Sequence, residues 1–313
     1  MTRHAVFDLG TMSTRALVSH DGELERHEMV TRLGDGLTDG GRFDDSALER
    51  VAAALRDARA ELDARAADGT PFQITAVATA AARRAADPER LAAVVADTLG
   101  VDLRILDEAD EGRLAFAGAT AALDTAALDT DGAVLVVDIG GGSTEFTVGS
   151  RADGVLASVS VPVGALAVTQ QFLHHDPPRA DELSAALSVI ELHLDDVVRF
   201  APQIETVAGT GPVLLLGGTA ATAAAVEIGL AEPTAEAVHG VELDKAAVED
   251  VFRTLATEPA GDRAHNPGLP ADRVDVIVGG LCVLVEAMRT LDIEAVTVSS
   301  ADLLDGVLAE ERS

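Results

Sequence analysis

Hydrophobic and polar positions follow one pattern along this chain, and that pattern occurs twice. Each half begins with short apolar runs separated by turns rich in Gly, Asp and Ser, and then changes to apolar positions three to four residues apart. The first spacing is typical of strands and the second of amphipathic helices. The sequence therefore predicts an α/β protein in which a three-stranded meander followed by helices is duplicated.

The turns and periodicities set the predicted bounds of these elements. In the first half, strands are predicted at 5–7, 15–19, 23–31, 74–78 and 101–106, and helices at 46–66, 88–99 and 108–122. In the second half, strands are predicted at 134–138, 145–148, 155–161, 213–216 and 295–299, and helices at 165–173, 180–200, after 219, 243–257, 274–291 and 301–311. The polar segment 124–132 separates the halves, so we expect lobes at 1–123 and 124–299. The C-terminal helix, 300–313, is expected to pack back on the first lobe.

The duplication is sharpest in a twelve-residue phrase. Residues 7–18 read FDLGTMSTRALV and residues 137–148 read VDIGGGSTEFTV, at an offset of 130 without a gap. Glycine lets backbone N–H groups approach an anion closely, and small hydroxyl residues add donors. The predicted phosphate-binding residues of the two turns are Gly10, Thr11, Ser13, Gly140, Gly141, Gly142, Ser143 and Thr144.

A carboxylate stands just before each turn, at Asp8 and Asp138. Carboxylate oxygens suit a hydrated Mg²⁺ held between protein and phosphate. With one such turn in each half, we expect two lobes that close on one ligand carrying several phosphates.

The charge balance indicates an unusual solvent environment. The chain has 53 acidic and 23 basic residues, a formal charge of −30, and Lys245 as its single lysine. Acidic residues spread along the whole chain are typical of proteins that stay soluble in concentrated salt, where screening suppresses self-repulsion. A high genomic GC content, which also favours Arg over Lys, is the alternative explanation. In either case the negative field disfavours binding to nucleic acid.

Other features of composition exclude several classes of protein. No segment reaches the about 18 consecutive apolar residues of a membrane span, so no membrane association is expected. The sequence enters its first strand directly, without room for a signal peptide, and we expect a cytoplasmic protein. Cys282 is the single cysteine and lies in an apolar run, which excludes an internal disulfide and favours a buried thiol.

Eight motifs in order carry a resemblance to a known family. They are DLGTMSTR (8–15), TRLGDGL (31–37), VATAAARRA (77–85), ADEGRLAFAGA (109–119), VVDIGGGSTEF (136–146), GGTAAT (217–222), ADRVDVIVGG (271–280) and VSSADLLDGVL (298–308). This set resembles the exopolyphosphatase and guanosine-pentaphosphate phosphohydrolase (Ppx/GppA) family, in its short form, within the actin, hexokinase and sugar-kinase superfamily. The resemblance runs from about residue 5 to residue 308.

The resemblance implies a fold and a reaction. The fold would be two related ribonuclease-H-like lobes with a cleft between them. The reaction would be release of terminal phosphate from polyphosphate, from guanosine pentaphosphate, or from both, by water that a glutamate activates. Mg²⁺ would be the cofactor, with Mn²⁺ as an alternative and K⁺ as a further cation. A homodimer is left open.

The resemblance also implies site residues by motif position. Glu111 aligns with the catalytic glutamate, and Arg83 with the arginine that faces the substrate phosphate. Glu145 aligns with a glutamate that holds metal or water beside Asp8 and Asp138. Further phosphate-binding candidates are Arg15, Arg32, Gly217, Gly218 and Thr219.

Three positions depart from the family pattern. Met12 stands where Asn is usual, Asp110 where Glu is usual, and Gly112 where Ala is common. Two alternative functions stay open at this point. One is a kinase of the same superfamily, which would form ADP only with an acceptor. The other is a regulator that binds polyphosphate or nucleotide without turnover.

The acidic composition makes a testable prediction about salt. Self-repulsion in dilute buffer is relieved only by screening or by bound cations. We expect the protein to lose cooperative folding and activity at about 50 mM KCl and to regain both at about 2 M KCl. Circular dichroism and phosphate release on one KCl series measure this. Equal folding and activity at both ends of the series would leave genomic bias as the cause of the missing lysines.

Overall fold

Two compact units form the protein in the computed structural model, which describes residues 2–37, 40–66, 69–122 and 132–313. One unit comprises Met1–Glu111 with Leu304–Ser313, and the other comprises Gly112–Leu303. Two β-sheets run through the described residues, one in each unit, and helices accompany both. The predicted α/β class is therefore confirmed. Residues 124–131 of the predicted boundary segment lie outside the described residues.

The first unit is built on a five-stranded sheet of order β3-β2-β1-β4-β5. Its strands are β1 (Arg3–Leu9), β2 (Ser13–His20), β3 (Glu23–Val30), β4 (Phe72–Ala78) and β5 (Leu103–Ile105). Its helices are α1 (Asp45–Arg65), α2 (Ala80–Arg84), α3 (Pro88–Leu99), the first turn of α4 (Glu108–Ala121) and nearly all of α13 (Leu303–Arg312). Strands β1 to β3 form an antiparallel meander, whereas β1, β4 and β5 run parallel.

The core of this unit follows from the periodicity of α1. Leu48, Val51, Leu55 and Leu62 recur at helical spacing and are all buried in one cluster with Phe7 of β1. Asp44 caps the N-terminus of α1. Its side chain accepts a hydrogen bond from the Ser46 N–H at 2.7 Å, which satisfies a donor of the first turn.

The second unit is built on a six-stranded sheet of order β10-β11-β9-β6-β7-β8. Its strands are β6 (Val134–Ile139), β7 (Thr144–Ser150), β8 (Gly154–Val161), β9 (Val213–Leu216), β10 (Glu242–Asp244) and β11 (Ala295–Val298). Its helices beyond α4 are α5 (Ala165–Phe172), α6 (Ala180–Phe200), α7 (Pro202–Ala208), α8 (Gly218–Glu227), α9 (Ala235–Val238), α10 (Lys245–Thr257), α11 (Ala260–Arg263) and α12 (Ile277–Thr290). Helix α12 is buried from Ile277 to Met288, and all of these residues except Glu286 are apolar or glycine, as expected for a helix inside a core.

The sequence repeat is also a repeat of strand register. Asp8 pairs with Arg15 across β1 and β2, and Asp138 pairs with Glu145 across β6 and β7. Each position in the second pair lies 130 residues after its counterpart, the offset seen in the sequence. The predicted duplicated meander is thus confirmed.

Several predicted bounds were wrong at places where short elements intervene. The helix predicted at 243–257 begins at Lys245, because Leu243 belongs to β10 and pairs with Val296 of β11. Asp244 ends the strand and caps the helix by accepting a hydrogen bond from the Ala247 N–H. The helix predicted at 274–291 begins at Ile277, after a 3₁₀ turn at Ala271–Arg273. Helices α2, α7, α9 and α11 were not predicted, since each has seven residues or fewer and shows no complete apolar period.

In the parts of the chain that the structure describes, no helix is both long enough and apolar enough to cross a membrane.

A buried carboxylate in the first unit gives a testable prediction about stability. Asp87 is 1% exposed and accepts hydrogen bonds from the Phe43 N–H at 3.1 Å and from Arg90 at 3.3 Å. Burial raises the pKa of this carboxyl, but the hydrogen bonds from Phe43 and Arg90 outweigh it, and its pKa lies below its ordinary value. Asp87→Ala should cost about 1–3 kcal/mol at pH 7, because the Phe43 N–H loses its acceptor.

The pH dependence of that cost has a definite sign. A carboxyl with a lowered folded pKa stabilises the fold above the ordinary aspartate pKa of about 4 and ceases to do so as the pH falls through its folded pKa. The difference between wild type and Asp87→Ala should therefore shrink between pH 7 and pH 3. Urea unfolding at constant high salt measures it, with Asp97→Ala on the exposed side of α3 as the control. A difference that is constant with pH would contradict the assignment.

Candidate functional site

The first predicted phosphate turn joins β1 to β2 and is closed by its own backbone. The Gly10 N–H donates to the Ser13 carbonyl at 2.9 Å, and a Cβ added to Gly10 would lie 3.1 Å from that oxygen. Within the described residues, the N–H groups of Thr11 and Met12 at the tip of the turn donate no hydrogen bond. Adjacent unpaired N–H groups in a tight turn form a concavity that suits an anion.

The second turn, between β6 and β7, has the same construction. The Gly140 N–H donates to the Ser143 carbonyl at 3.0 Å, and a Cβ on Gly140 would again lie 3.1 Å from that oxygen. The carbonyls of Gly140 and Gly141 accept hydrogen bonds from the first N–H groups of α5. Over the described ranges, the N–H groups of Gly141 and Gly142 have no acceptor. The carbonyls are thus turned into the protein, while the tip presents donors.

The hydroxyl side chains around these turns have structural partners. Ser13 Oγ donates to Glu28 at 2.6 Å, and Thr144 Oγ1 donates to the Val163 carbonyl at 2.5 Å. Thr219 is 2% exposed, and its hydroxyl lies so close to α12 that a Cβ on Gly280 would be 2.3 Å from it. Backbone N–H groups, more than these hydroxyls, therefore supply the donors at the turns.

The loop 31–37 packs on the first turn. The Arg32 N–H donates to the Met12 carbonyl at 2.7 Å, and the Gly34 N–H donates to the Thr11 carbonyl at 2.9 Å. Arg32 has a φ of 49°, a left-handed conformation unusual for arginine. The Met12 side chain, which replaces the usual Asn, is 5% exposed and belongs to the buried apolar set.

The two predicted metal-binding aspartates differ in their surroundings. Asp8 is 2% exposed, and the Arg15 guanidinium donates to its Oδ2 from Nη2 at 2.6 Å and from Nε at 3.1 Å. Asp138, at the equivalent place, lies opposite a second carboxylate, Glu145, which is 4% exposed and accepts from Ser160 Oγ at 2.8 Å.

Asp138 and Glu145 are the residues here that could hold a divalent cation. Carboxylate oxygens are hard ligands of the kind that Mg²⁺ and Mn²⁺ take, and these two carboxylates lie opposite each other across a strand pair. Asp8 already accepts two hydrogen bonds from Arg15, so a cation beside it could be held through water.

Glu111 and Arg83 form an ion pair in the first unit. Glu111 lies in the first turn of α4 and is 8% exposed, and Arg83 lies near the end of α2. Arg83 Nη1 contacts Glu111 Oε2 and also donates to the Leu106 carbonyl at 3.0 Å. The predicted base and the predicted phosphate-binding arginine are thus neighbours, although 28 residues separate them. Asp110, beside Glu111, pairs instead with Arg104 at 2.9 Å.

Near its start, α4 packs closely against β7 and β8 at Gly112. A Cβ on this residue would lie 2.3 Å from Ser158 Oγ and 2.8 Å from Thr147 Oγ1, and those two hydroxyls are hydrogen-bonded at 2.8 Å. The absence of a side chain at Gly112 lets α4 lie directly on β7 and β8.

The loop between β9 and α8 lies beside the second turn. Gly217 has a φ of 90°, and a Cβ there would be 3.0 Å from Asp138 Oδ1 and 2.6 Å from the Ile139 carbonyl. The backbone at Gly217 therefore approaches the carboxylate closely, and α8 begins at Gly218, where the helix N-terminus favours anions.

Sequence reasoning missed one candidate near this loop, Arg273. A Cβ on Gly218 would lie 2.1 Å from its guanidinium carbon, so the guanidinium lies directly against Gly218. The next carbonyl, that of Val274, accepts from the buried Arg263 at 2.7 Å, which anchors the segment. Arg273 lies within the motif ADRVDVIVGG, and its place in that motif is the sequence signal that could have identified it as a candidate.

One other group of metal-binding residue types occurs among the described residues. His20, Glu23 and Glu25 place ligand atoms within 4.8 Å of one another on the β2–β3 hairpin. Arg65 lies 2.8 Å from Glu25 Oε2 and 3.4 Å from His20 Nε2, so a guanidinium already contacts two of these three residues. We interpret it as an ion-pair network.

Comparisons with known proteins find relatives along nearly the whole chain. The model of the Ppx/GppA phosphatase family matches residues 19–312. A Mycobacterium tuberculosis protein named Exopolyphosphatase 2 is 32% identical over 325 residues, which cover 98% of each chain. Among solved structures, an exopolyphosphatase-like protein is 26% identical with a TM-score of 0.89, covering 99% of this chain and 98% of that one. The Aquifex aeolicus PPX-GPPA enzyme is 27% identical with a TM-score of 0.76, covering 99% of both chains.

Proposed function

Since the chain belongs to the Ppx/GppA phosphatase family, we propose that it is an exopolyphosphatase, a hydrolase that releases the terminal phosphate of inorganic polyphosphate. The observation that carries the proposal is the pair of turns whose tips offer backbone N–H groups with no acceptor among the described residues. Such turns bind phosphate oxygens whatever group the far end of the ligand carries. Guanosine pentaphosphate ends in the same phosphoanhydride and is the second substrate that we propose.

Glu111 is proposed as the general base. Hydrolysis requires a water to attack the terminal phosphorus in line with the bridging oxygen, and a carboxylate to accept the proton of that water. The new bond joins the water oxygen to phosphorus, the bridging bond breaks, and orthophosphate leaves a chain one unit shorter. The position of Glu111 in the first turn of α4, in contact with Arg83, supports the role, because a general base must lie beside the group that holds the terminal phosphate.

Arg83 is proposed to change partner when substrate binds. In the structure its guanidinium contacts Glu111 and the Leu106 carbonyl. A terminal phosphate offers it more negative charge, spread over equatorial oxygens in the transition state. The transfer of Arg83 from carboxylate to phosphate would release a Glu111 oxygen for the attacking water. The ion pair is thus consistent with a resting state of the reaction.

A divalent cation is proposed at Asp138 and Glu145, with Mg²⁺ first and Mn²⁺ as the alternative. Their opposed carboxylates supply hard oxygen ligands, and Ser160 orients Glu145 through its hydrogen bond. The cation, when bound, neutralises phosphate charge. We propose that Asp8 acts through water, while Arg15 holds its carboxylate in place.

The base can be tested by one substitution. Glu111→Gln keeps the size of the side chain but cannot accept the proton, so turnover should fall by roughly a hundredfold or more while substrate still binds. Phosphate release from long and short polyphosphate, guanosine pentaphosphate and ATP is measured side by side at high KCl. Glu108→Gln, an exposed acid in the same helical turn, is the matched control. Near-normal turnover of Glu111→Gln would remove it from the mechanism, and ATP turnover that depends on an acceptor would indicate a kinase.

The metal assignment predicts an asymmetry between the two aspartates. Asp138→Asn should raise the Mg²⁺ concentration for half-maximal activity by roughly tenfold or more, since it neutralises one of two opposed carboxylates. Asp8→Asn should slow turnover with a smaller change in that midpoint, because it disturbs an ion pair with Arg15. Magnesium titrations of both variants, with exposed Asp195→Asn as the control, make the measurement. Equal shifts in both variants would contradict the asymmetry.

A further inference from the structure

A cavity opens in the first unit between α1 and the meander of β1, β2 and β3. Its volume is about 380 Å³, and its floor is formed by Phe7, Ala16, Val18 and Leu62, which are all less than 5% exposed. This volume lies in the range of small-molecule sites. None of the residues proposed for phosphate or metal lines it, so it is separate from the site described above.

Two polar groups on the cavity wall are without a hydrogen-bond partner in the described part of the chain. His27 Nε2 is buried and makes no hydrogen bond, and the nearest carboxylate oxygen, on Glu25, lies 3.8 Å away. Asp57 lies on the exposed side of α1 and has neither a hydrogen bond nor an ion pair with any described residue. A carboxylate is acceptor-only, and a neutral imidazole protonated at Nδ1 offers Nε2 as an acceptor. The buried His27 Nε2 therefore requires a donor, and the exposed Asp57 carboxylate beside it can accept one from the same ligand.

The arginines that line the cavity are already paired with carboxylates. Arg65 contacts Glu25 at 2.8 Å and also contacts Glu61, and Arg26 donates to Asp305 at 2.6 Å. Their charge is compensated, so they do not make the cavity attractive to an anion. The remaining charge on its rim is negative, and a positively charged donor is the complementary group.

We propose that this cavity binds a small organic amine. The apolar body of the ligand, about the size of one aromatic ring, lies on the floor against Phe7 and Leu62. Its ammonium group donates to His27 Nε2 and to Asp57. Burial of the ring removes apolar surface from water, and the ammonium supplies a donor to His27 Nε2 and an opposite charge to Asp57.

The test compares three ligands of similar shape and different charge. They are 2-phenylethylammonium, neutral 2-phenylethanol and anionic 3-phenylpropionate, titrated into the full chain by calorimetry. The titrations are run at about 2 M KCl, where screening removes nonspecific attraction of cations to the acidic surface. The amine should bind at least roughly tenfold more tightly than the alcohol, the size of one charge-assisted hydrogen bond, and the acid should not bind.

Substitutions around the cavity test whether the amine binds there. Asp57→Asn should weaken amine affinity roughly tenfold, and Ala58→Leu, which fills the cavity from α1, should abolish it. Glu49→Gln removes an exposed acid from the same helix away from the cavity and should leave affinity unchanged. Equal binding of all three ligands, no binding of the amine, or equal effects of Asp57→Asn and Glu49→Gln would each overturn the proposal.

Discussion

The phosphate chemistry depends on one backbone hydrogen bond, which is made twice. In each unit the N–H of the glycine after Asp-x donates to the carbonyl three residues later, at 2.9 Å in one turn and 3.0 Å in the other. This bond brings two strands close enough to hold the tip in a single shape. The tip then presents N–H groups outward, and the carboxylate at the end of the first strand is placed beside it. Asp138, Glu145 and the neighbouring glycine loop at Gly217 are arranged around the second of these turns.

The two copies of the turn differ in charge at one equivalent position. Arg15 and Glu145 occupy the same place in the repeat, opposite Asp8 and Asp138. The first unit thus places a guanidinium opposite the aspartate, and the second places another carboxylate there. Because strand register is the same in both, one residue difference separates an ion pair from the pair of carboxylates at which we propose a cation. A cation site in one unit therefore does not imply a second one in the other.

Structural features that depend on local or repeated sequence patterns could be predicted for this protein, whereas features that depend on contacts between distant residues could not. The meanders and turns were predictable, because alternation and the 130-residue offset are local or repeated signals. Short helices such as α9 and α11 were not, since four residues hold no apolar period. The pairing of Arg83 with Glu111 and the position of Arg273 against Gly218 arise from tertiary packing, which spacing along the chain does not encode. The hydroxyl of Thr144 has a backbone partner that only β8 and its following loop supply.

The close packing at Gly112 has a consequence for how this protein can evolve. The space that a methyl group would need is occupied by Ser158 Oγ and Thr147 Oγ1, which bond to each other. Alanine at this position thus requires the side chains of Ser158 and Thr147 to move, although alanine suits a helix better than glycine does. The three positions are coupled by epistasis: the effect of alanine at position 112 depends on which residues stand at positions 147 and 158. The surrounding sequence, and not only the substitution itself, therefore decides what is tolerated next to the proposed catalytic glutamate.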